Sequence, residues 1–521
     1  MSIVSHLEPS KRLAEPVSSP RAEPAGQSVS FQTGATIGYE PSKRPAEPVP
    51  YRKVELAGRT VSYGTRSVFW LAAGVLVFTP WAWAGMKPAA LSASVWLAAF
   101  LLASLLVGSI RASGRAVWRD PLFVTGLSFL AYLTIQWWNS GRLLYFDAGW
   151  QRWEHTAPFR PGWPSGFDRA ETGQMLAWFF PPWCVALALR STLLSARRIA
   201  AILRVIVWSA GLLALVGIGQ YAAGAKALYG VTPLVCPFFA SFPYANHAAA
   251  FFLMMAALAT GLLFHEAFRL DRPVSLLLSA SFAASLALCL AGANLSLSRA
   301  GVLLAWVFAF FAAGFALWNG WRFLPKARRV KQAAAAGGLL AATALAVAEM
   351  GDTAILREFG LAGRDAAASQ ATAAGSLNLS MGGRSRLREL GWRVWREAPW
   401  FGVGGWGFKH RSAFHLPALE WKLLSIKGWA NVHCDSLQFL AEFGLVGTLL
   451  GLSVLACLLV PLARASGWSC NFLVMGLAGL GMVAGLSLID IPFRCPAILV
   501  TWTGILAALP RAAGRPFSRN A

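Results

Sequence analysis

Apolar runs long enough to cross a bilayer recur along almost the whole of this chain. A helix needs about 20 apolar residues to traverse the hydrocarbon core. Runs of that kind lie near 68–86, 89–110, 121–139, 173–190, 199–221 and 247–265, and again near 273–292, 300–319, 333–350, 436–462, 470–489 and 496–510. The pattern predicts an all-α polytopic membrane bundle of about twelve spans. The runs at 173–190 and 496–510 are short and contain or abut proline. Composition agrees: 56% of residues are hydrophobic and 13% charged, against about 25% charged in soluble domains.

Charge sets the orientation. With the N-terminus in the cytoplasm, the inner loops hold Arg111, Arg115 and Arg119, then Arg190, Arg197 and Arg198, then Arg322, Lys326, Arg328, Arg329 and Lys331, and finally Arg511, Arg515 and Arg519. The short outer loops carry far fewer cations, as the positive-inside rule requires. The net charge of +23 is therefore read as loop anchoring, and no nucleic-acid partner is expected. The seven cysteines form no C-x-x-C pair and no metal-ligand spacing, so neither a disulfide framework nor a zinc site is expected. No apolar h-region of a cleaved signal peptide is seen in the first sixty residues. "EPSKRLAEPV" at 8–17 recurs as "EPSKRPAEPV" at 40–49, in a segment too polar to offset chain entropy by burial.

The expected organisation is a disordered basic cytoplasmic tail, 1–66, and a bundle of nine spans, 67–350. A large outer loop, 351–432, three more spans, 433–510, and a cytoplasmic tail, 511–521, complete it. Polar outliers gather on the outer face: "SFPYANHAAAF" at 241–251, "NLSLSRAGVLLA" at 294–305, "GGRSRLRELGWRVWREAPWFGVGGWGF" at 382–408 and "NVHCDSLQFLAEFGLVG" at 431–447. In the third, Leu387, Leu390, Val394 and Ala398 define an apolar helical face, and Arg384 and Arg388 share another at i, i+4. Gly382 and Gly383 precede this helix and Pro399 ends it. Such a helix would lie along the outer membrane surface. "GVGGWG" at 402–407 fits G-x-G-x-x-G, but no strand precedes it and a dinucleotide site is rejected.

Together these stretches resemble the bacterial O-antigen ligase and O-antigen polymerase (Wzy-like) family of membrane glycosyltransferases, over roughly residues 68–510. "YANHAAAF", "LSRAG", the Arg–helix–"PWFGVGGWGF" stretch and "HCDSLQFLAEFGLVG" are similar to family motifs, with Gly402, Gly404, Phe408, Glu442, Gly444 and Gly447 at matching positions; "DIPFRCPA" at 490–497 resembles a late Asp-containing outer loop. The resemblance implies a bundle of the GT-C type with a large periplasmic loop. It also implies transfer of a glycan from an undecaprenyl-diphosphate carrier to a hydroxyl of lipid A–core or of another glycan, with no metal or other cofactor, at the periplasmic face of the inner membrane. Two departures stand out: Cys434-Asp435 follows the histidine where the family often has Asn, and Arg384, Arg386 and Arg388 compete for one family position, with spacing to Pro399 favouring Arg384.

The residues suit that chemistry. Breaking a sugar–diphosphate bond leaves negative charge, which a guanidinium can fork onto while staying protonated. Arg299 and Arg384 are the candidates, with Arg386 behind them. His433 is the candidate general base for the acceptor hydroxyl, oriented by Asp435; positioning the diphosphate or acceptor by hydrogen bonds is the other role open to it. Asp435 could instead accept hydrogen bonds from first-turn amides, and Glu442 is expected to pair within the bundle. Asn246, His247, Asp435 and Asp490 complete the substrate-binding candidates. The outer tryptophans Trp150, Trp153, Trp163, Trp392, Trp395, Trp400, Trp406, Trp421 and Trp429 suit either stacking on sugar or an interface belt. Membrane lipids are the remaining expected contacts. The rival class is a flippase or transporter for a polyprenyl-linked sugar, which would place its ionisable residues at midplane in broken helices; a protein O-oligosaccharyltransferase is the rival within the family.

Overall fold

The computed structural model describes residues 51–111, 117–141, 144–147, 152–155, 158–234, 238–267, 275–323, 329, 337, 381–415, 431–465 and 471–514. The apolar run at 333–350 apart from residue 337, the near-repeat of the N-terminal segment, Trp150, Trp421 and Trp429 lie outside these. The helices are α1 (Tyr51–Trp81), α2 (Pro88–Arg111), α3 (Pro121–Trp138), α4 (Arg169–Arg190), α5 (Ala196–Ala222), α6 (Ala245–Ala267), α7 (Leu276–Leu295) and α8 (Arg299–Phe323), then α9 (Met381–Glu397), α10 (Gly407–Arg411), α11 (Asp435–Ala463), α12 (Asn471–Leu486) and α13 (Pro496–Gly514). Each expected apolar run within the described residues is a helix. Among those residues, six helices (α2, α5, α6, α7, α8 and α11) are long and apolar enough to cross a membrane, and α12 and α13 are shorter apolar helices. The chain is an all-α polytopic membrane protein. Among the described residues the strands are marginal: the hairpin Leu144–Asp147 with Arg152–His155 before α4, and a two-residue pair after α5.

Two helices organise the bundle. α6 is apolar all round and buried from His247 through Leu262, as a helix enclosed by others must be. Small residues let its neighbours close in: a Cβ on Gly479 of α12 would stand 2.8 Å from that of Ala257, and one on Gly261 would stand 3.1 Å from that of Met475. α4 is buried without interruption from Pro181 to Leu189 against α2, α3 and α13. It begins earlier in the chain than its hydropathy indicates because Asp168 caps it, accepting from the Glu171 amide at 2.7 Å.

α9 departs from expectation. Its apolar stripe, Leu387, Leu390 and Val394, is buried with Val432, Leu437 and Ala441 instead of facing lipid. A Cβ on Gly391 would come within 3.0 Å of Val432 and 3.1 Å of Leu437. The helix is thus docked on the entrance to α11, and its arginines are held over that entrance.

α11 is not continuous either. Gly444 sits at φ 62°, ψ −169°, a conformation essentially reserved for glycine. The turn opened there is closed by the segment after α9. Val403 N donates to Ala441 O at 3.1 Å and Gly404 N to Glu442 O at 2.8 Å, while Leu445 N and Val446 N donate to Pro399 O and Trp400 O at 2.8 and 3.0 Å. Tyr132 Oη lies 2.7 Å from both Phe401 O and Phe443 O, between which its one proton is shared. A Cβ on Gly402 (φ +65°) would lie 2.4 Å from the Glu442 backbone, and one on Gly444 would lie 2.4 Å from Trp400 O. The two glycine motifs therefore exist for each other.

Candidate active site

One end of the bundle converges on one carboxylate. Asp490, in the turn between α12 and α13, is 1% exposed, and a charge so buried persists only when paired and hydrogen-bonded. Its Oδ1 accepts from Ile491 N at 2.9 Å and from His433 Nδ1 at 3.1 Å. Its Oδ2 accepts from Asn246 Nδ2 and, at 3.3 Å, from Tyr244 Oη. Arg384 Nη2 stands 3.6 Å from Oδ2. Burial alone would raise the carboxyl's pKa; the His433 hydrogen bond and charge, then Arg384, outweigh it and hold Asp490 below the ordinary carboxylate range. Burial and the neighbouring Asp490 charge push the Tyr244 hydroxyl up, so it remains a donor.

His433 has φ +55°, an uncommon conformation for a non-glycine residue. Its backbone neighbours are pinned: Val432 N donates to Gln438 Oε1 at 2.6 Å, and Asp435 N to Ser487 O at 2.8 Å. An ionised carboxylate only accepts, so Nδ1 carries the hydrogen in its bond to Asp490. In its neutral form this tautomer keeps the Nε2 lone pair for another proton.

Arg384 and Arg388 sit one turn apart on α9, as their spacing predicts, and both reach the Asp490 turn. Arg384 Nη1 donates to Ile489 O at 3.3 Å and Arg388 Nη2 to Leu488 O at 3.1 Å. The Nε atoms of both are buried without a hydrogen-bond partner. At 3.6 Å the Arg384–Asp490 contact is longer than a hydrogen bond, so this guanidinium retains donors for an anion.

The other expected site residues divide. Asn246 belongs to the cluster and also accepts from Ser298 Oγ at 2.6 Å, which brings the residue before Arg299 to the same place. Arg299 itself opens α8 with its side chain exposed. Arg386 points to the exposed side of α9. His247 is buried, with Nε2 3.0 Å from Ile491 O, so it holds the Asp490 turn. Asp435 neither orients His433 nor caps α11: its Oδ2 accepts from Phe493 N at 2.9 Å. The imidazole partner is Asp490, because the α12–α13 turn folds over the start of α11 and fills the place that Asp435 was expected to occupy. Glu442 pairs within the bundle, with Arg494. Tyr244, Ser298 and Arg494 lie inside stretches quoted above, but nothing local in the sequence marks them out. Trp392 and Trp400 are exposed, Trp395 is half-buried, and Trp406 lies under Arg494 with the guanidinium 4.6 Å from its ring.

Residues 283–452 match a family model described as O-antigen ligase, Wzy_C. That stretch contains Arg299, Arg384 and His433. Over this third of the chain the sequence is similar to the O-antigen ligase family. The match supports an O-antigen ligase-like function in general, on a chain with six helices long and apolar enough to cross a membrane among the described residues. Asp490 and Arg494, and the Tyr244–His247 motif, fall outside the matched residues and join the site through tertiary contacts. A search of curated proteins finds no match to the chain.

Proposed function

We propose that this protein moves a glycan from an undecaprenyl-diphosphate carrier to a hydroxyl of lipid A–core or of a growing polysaccharide, at the periplasmic face of the inner membrane and without a metal ion. The observation that carries this reading is the triad of His433, Asp490 and Arg384 around one buried carboxylate. His433 Nε2 takes the acceptor hydroxyl proton as the acceptor oxygen bonds to the anomeric carbon. The bond from that carbon to the diphosphate oxygen breaks, and the leaving diphosphate carries the charge away. Arg384 and Arg299 stabilise that charge as it develops, where preorganised donors have most effect. Among the described residues, the carboxylates of this cluster are committed to protein donors: Asp490 as above, Asp435 to Phe493 N, Glu442 to Arg494 and Gln438. This supports arginine, and not a carboxylate-bound cation, as the neutralising group.

The break in α11 gives the transporter reading one supporting feature. In transporters, however, unwound backbone coordinates the cargo, whereas here the opened turn is closed by 399–404. The deciding assay reconstitutes the purified protein in proteoliposomes with an undecaprenyl-diphosphate-linked glycan and a core acceptor, in EDTA. The expected result is glycosylated acceptor. Movement of the donor between leaflets with no new glycosidic bond overturns the reading, and a reaction abolished by EDTA and restored by magnesium overturns its metal-free form. The sidedness is checked separately with reporter fusions at residues 330 and 415, which should report opposite faces, 415 outside. Reports of the same face would reject the periplasmic site.

A further inference from the structure

Beneath the Asp490 cluster lies a second buried polar chain that the transfer chemistry does not use. Arg494, 8% exposed, donates from Nη2 to Oε2 of Glu442, which is fully buried. Glu442 Oε1 accepts from Gln438 Nε2 at 2.7 Å, and Gln438 Oε1 accepts from Val432 N at 2.6 Å. The chain thus runs from the turn that carries Asp490 to the peptide next to His433. Arg494 also lies over the Trp406 ring, with Nη1 3.8 Å from Met175 Sδ of α4. Trp406 ends the segment that follows α9 and closes the α11 break.

Buried ion pairs are weak stabilisers, since desolvation offsets most of their attraction and apolar replacements often do as well. What such a pair does provide is a fixed geometry in a fully satisfied network. This one meets three of the elements that bear reacting groups: 431–435 with His433, 487–495 with Asp490, and 381–408 with Arg384. We propose that Glu442 and Arg494, with Gln438, are the positioning residues of the active site: they hold the uncommon His433 backbone so that its ring meets Asp490, and they fix both beneath the segment that carries Arg384. The inference rests on the glycan-transfer reading for its catalytic consequence, but its structural consequence can be measured without it.

The test compares Arg494→Lys, which keeps charge but not the planar fork, with Gln438→Leu, which cuts the arm to Val432 and introduces no charge. Activity is taken per folded molecule, after size-exclusion in detergent. In both variants kcat should fall by about a hundred-fold, the effect of displacing reacting groups by about 1 Å, with KM for the lipid-linked donor changed only a few-fold. Because the residues act through the His433–Asp490 contact, adding Arg494→Lys to Asp490→Asn should cost far less than it does alone. The readout independent of catalysis is Cys434, which is partly exposed beside His433 with Sγ 3.3 Å from Ser436 Oγ. Its alkylation by N-ethylmaleimide, located by peptide mass spectrometry, should quicken several-fold in both variants. Wild-type kcat and unchanged Cys434 alkylation in folded Gln438→Leu or Arg494→Lys overturn the proposal, as does full multiplicativity with Asp490→Asn. Faster Cys434 alkylation in a protein whose wild type transfers no glycan would retain the positioning and discard the transfer reading.

Discussion

Alanine in place of His433 should reduce glycan transfer by about a hundred- to ten-thousand-fold, the range contributed by a positioned general base, at an unchanged membrane level. The side chain is partly exposed and its loss opens no apolar cavity, so the effect should fall on kcat and not on folding yield. Asp490→Asn is the informative companion. Asparagine keeps the shape but its amide can present N–H to Nδ1, which would favour the tautomer with hydrogen on Nε2 and remove the acceptor that the reaction needs. It should therefore approach His433→Ala in severity. Asp435→Ala, which loses one hydrogen bond to Phe493 N, should lose only part of the activity. Full activity in His433→Ala, measured with purified protein and lipid-linked donor, would remove the base from the mechanism.

The second large effect concerns the arginines. Removing one electrostatic stabiliser of a developing anion costs about a hundred- to a thousand-fold, and this is the loss expected for Arg384→Ala and for Arg299→Ala. Lysine separates charge from geometry: rescue by Arg384→Lys would mean that a point charge suffices, and failure would mean that the fork onto phosphate oxygens is needed. Arg386→Ala should stay within a few-fold of wild type, because that residue lies on the exposed side of α9. Equal losses at Arg384 and Arg386 would show that the whole basic face binds substrate and would withdraw the special place given to Arg384. Arg299→Ala with normal transfer would leave Arg384 to bear the diphosphate alone.

The site was only partly legible before the fold was in view. The i, i+4 relation of Arg384 and Arg388, the apolar stripe of α9 and the placement of His433 at the mouth of α11 are local properties that helical periodicity reports directly. The partner of His433 is not local. Asp435, two residues away, was the natural choice, yet Asp490 is the acceptor from 57 residues away. Asn246 and Tyr244 reach the same carboxylate across separations of 244 and 246. His247 was read as a substrate ligand because it is polar at a span boundary; its contact with Ile491 O makes it a support of the turn beneath.

What the sequence determined by itself is what depends on chain composition over one element: which runs form apolar helices, and which face of α9 is apolar. Burial in hydrocarbon acts on each run of residues separately, so its record is linear and readable. Tertiary structure decided the rest. It placed the α9 stripe on protein instead of lipid, broke α11 at Gly444 and filled the opened turn with 399–404. It also joined Glu442 to Arg494 across 52 residues. Hydrogen bonds and ion pairs in a dry interior are short-ranged and directional, and their partners are set by which elements pack together. No spacing along the chain encodes that.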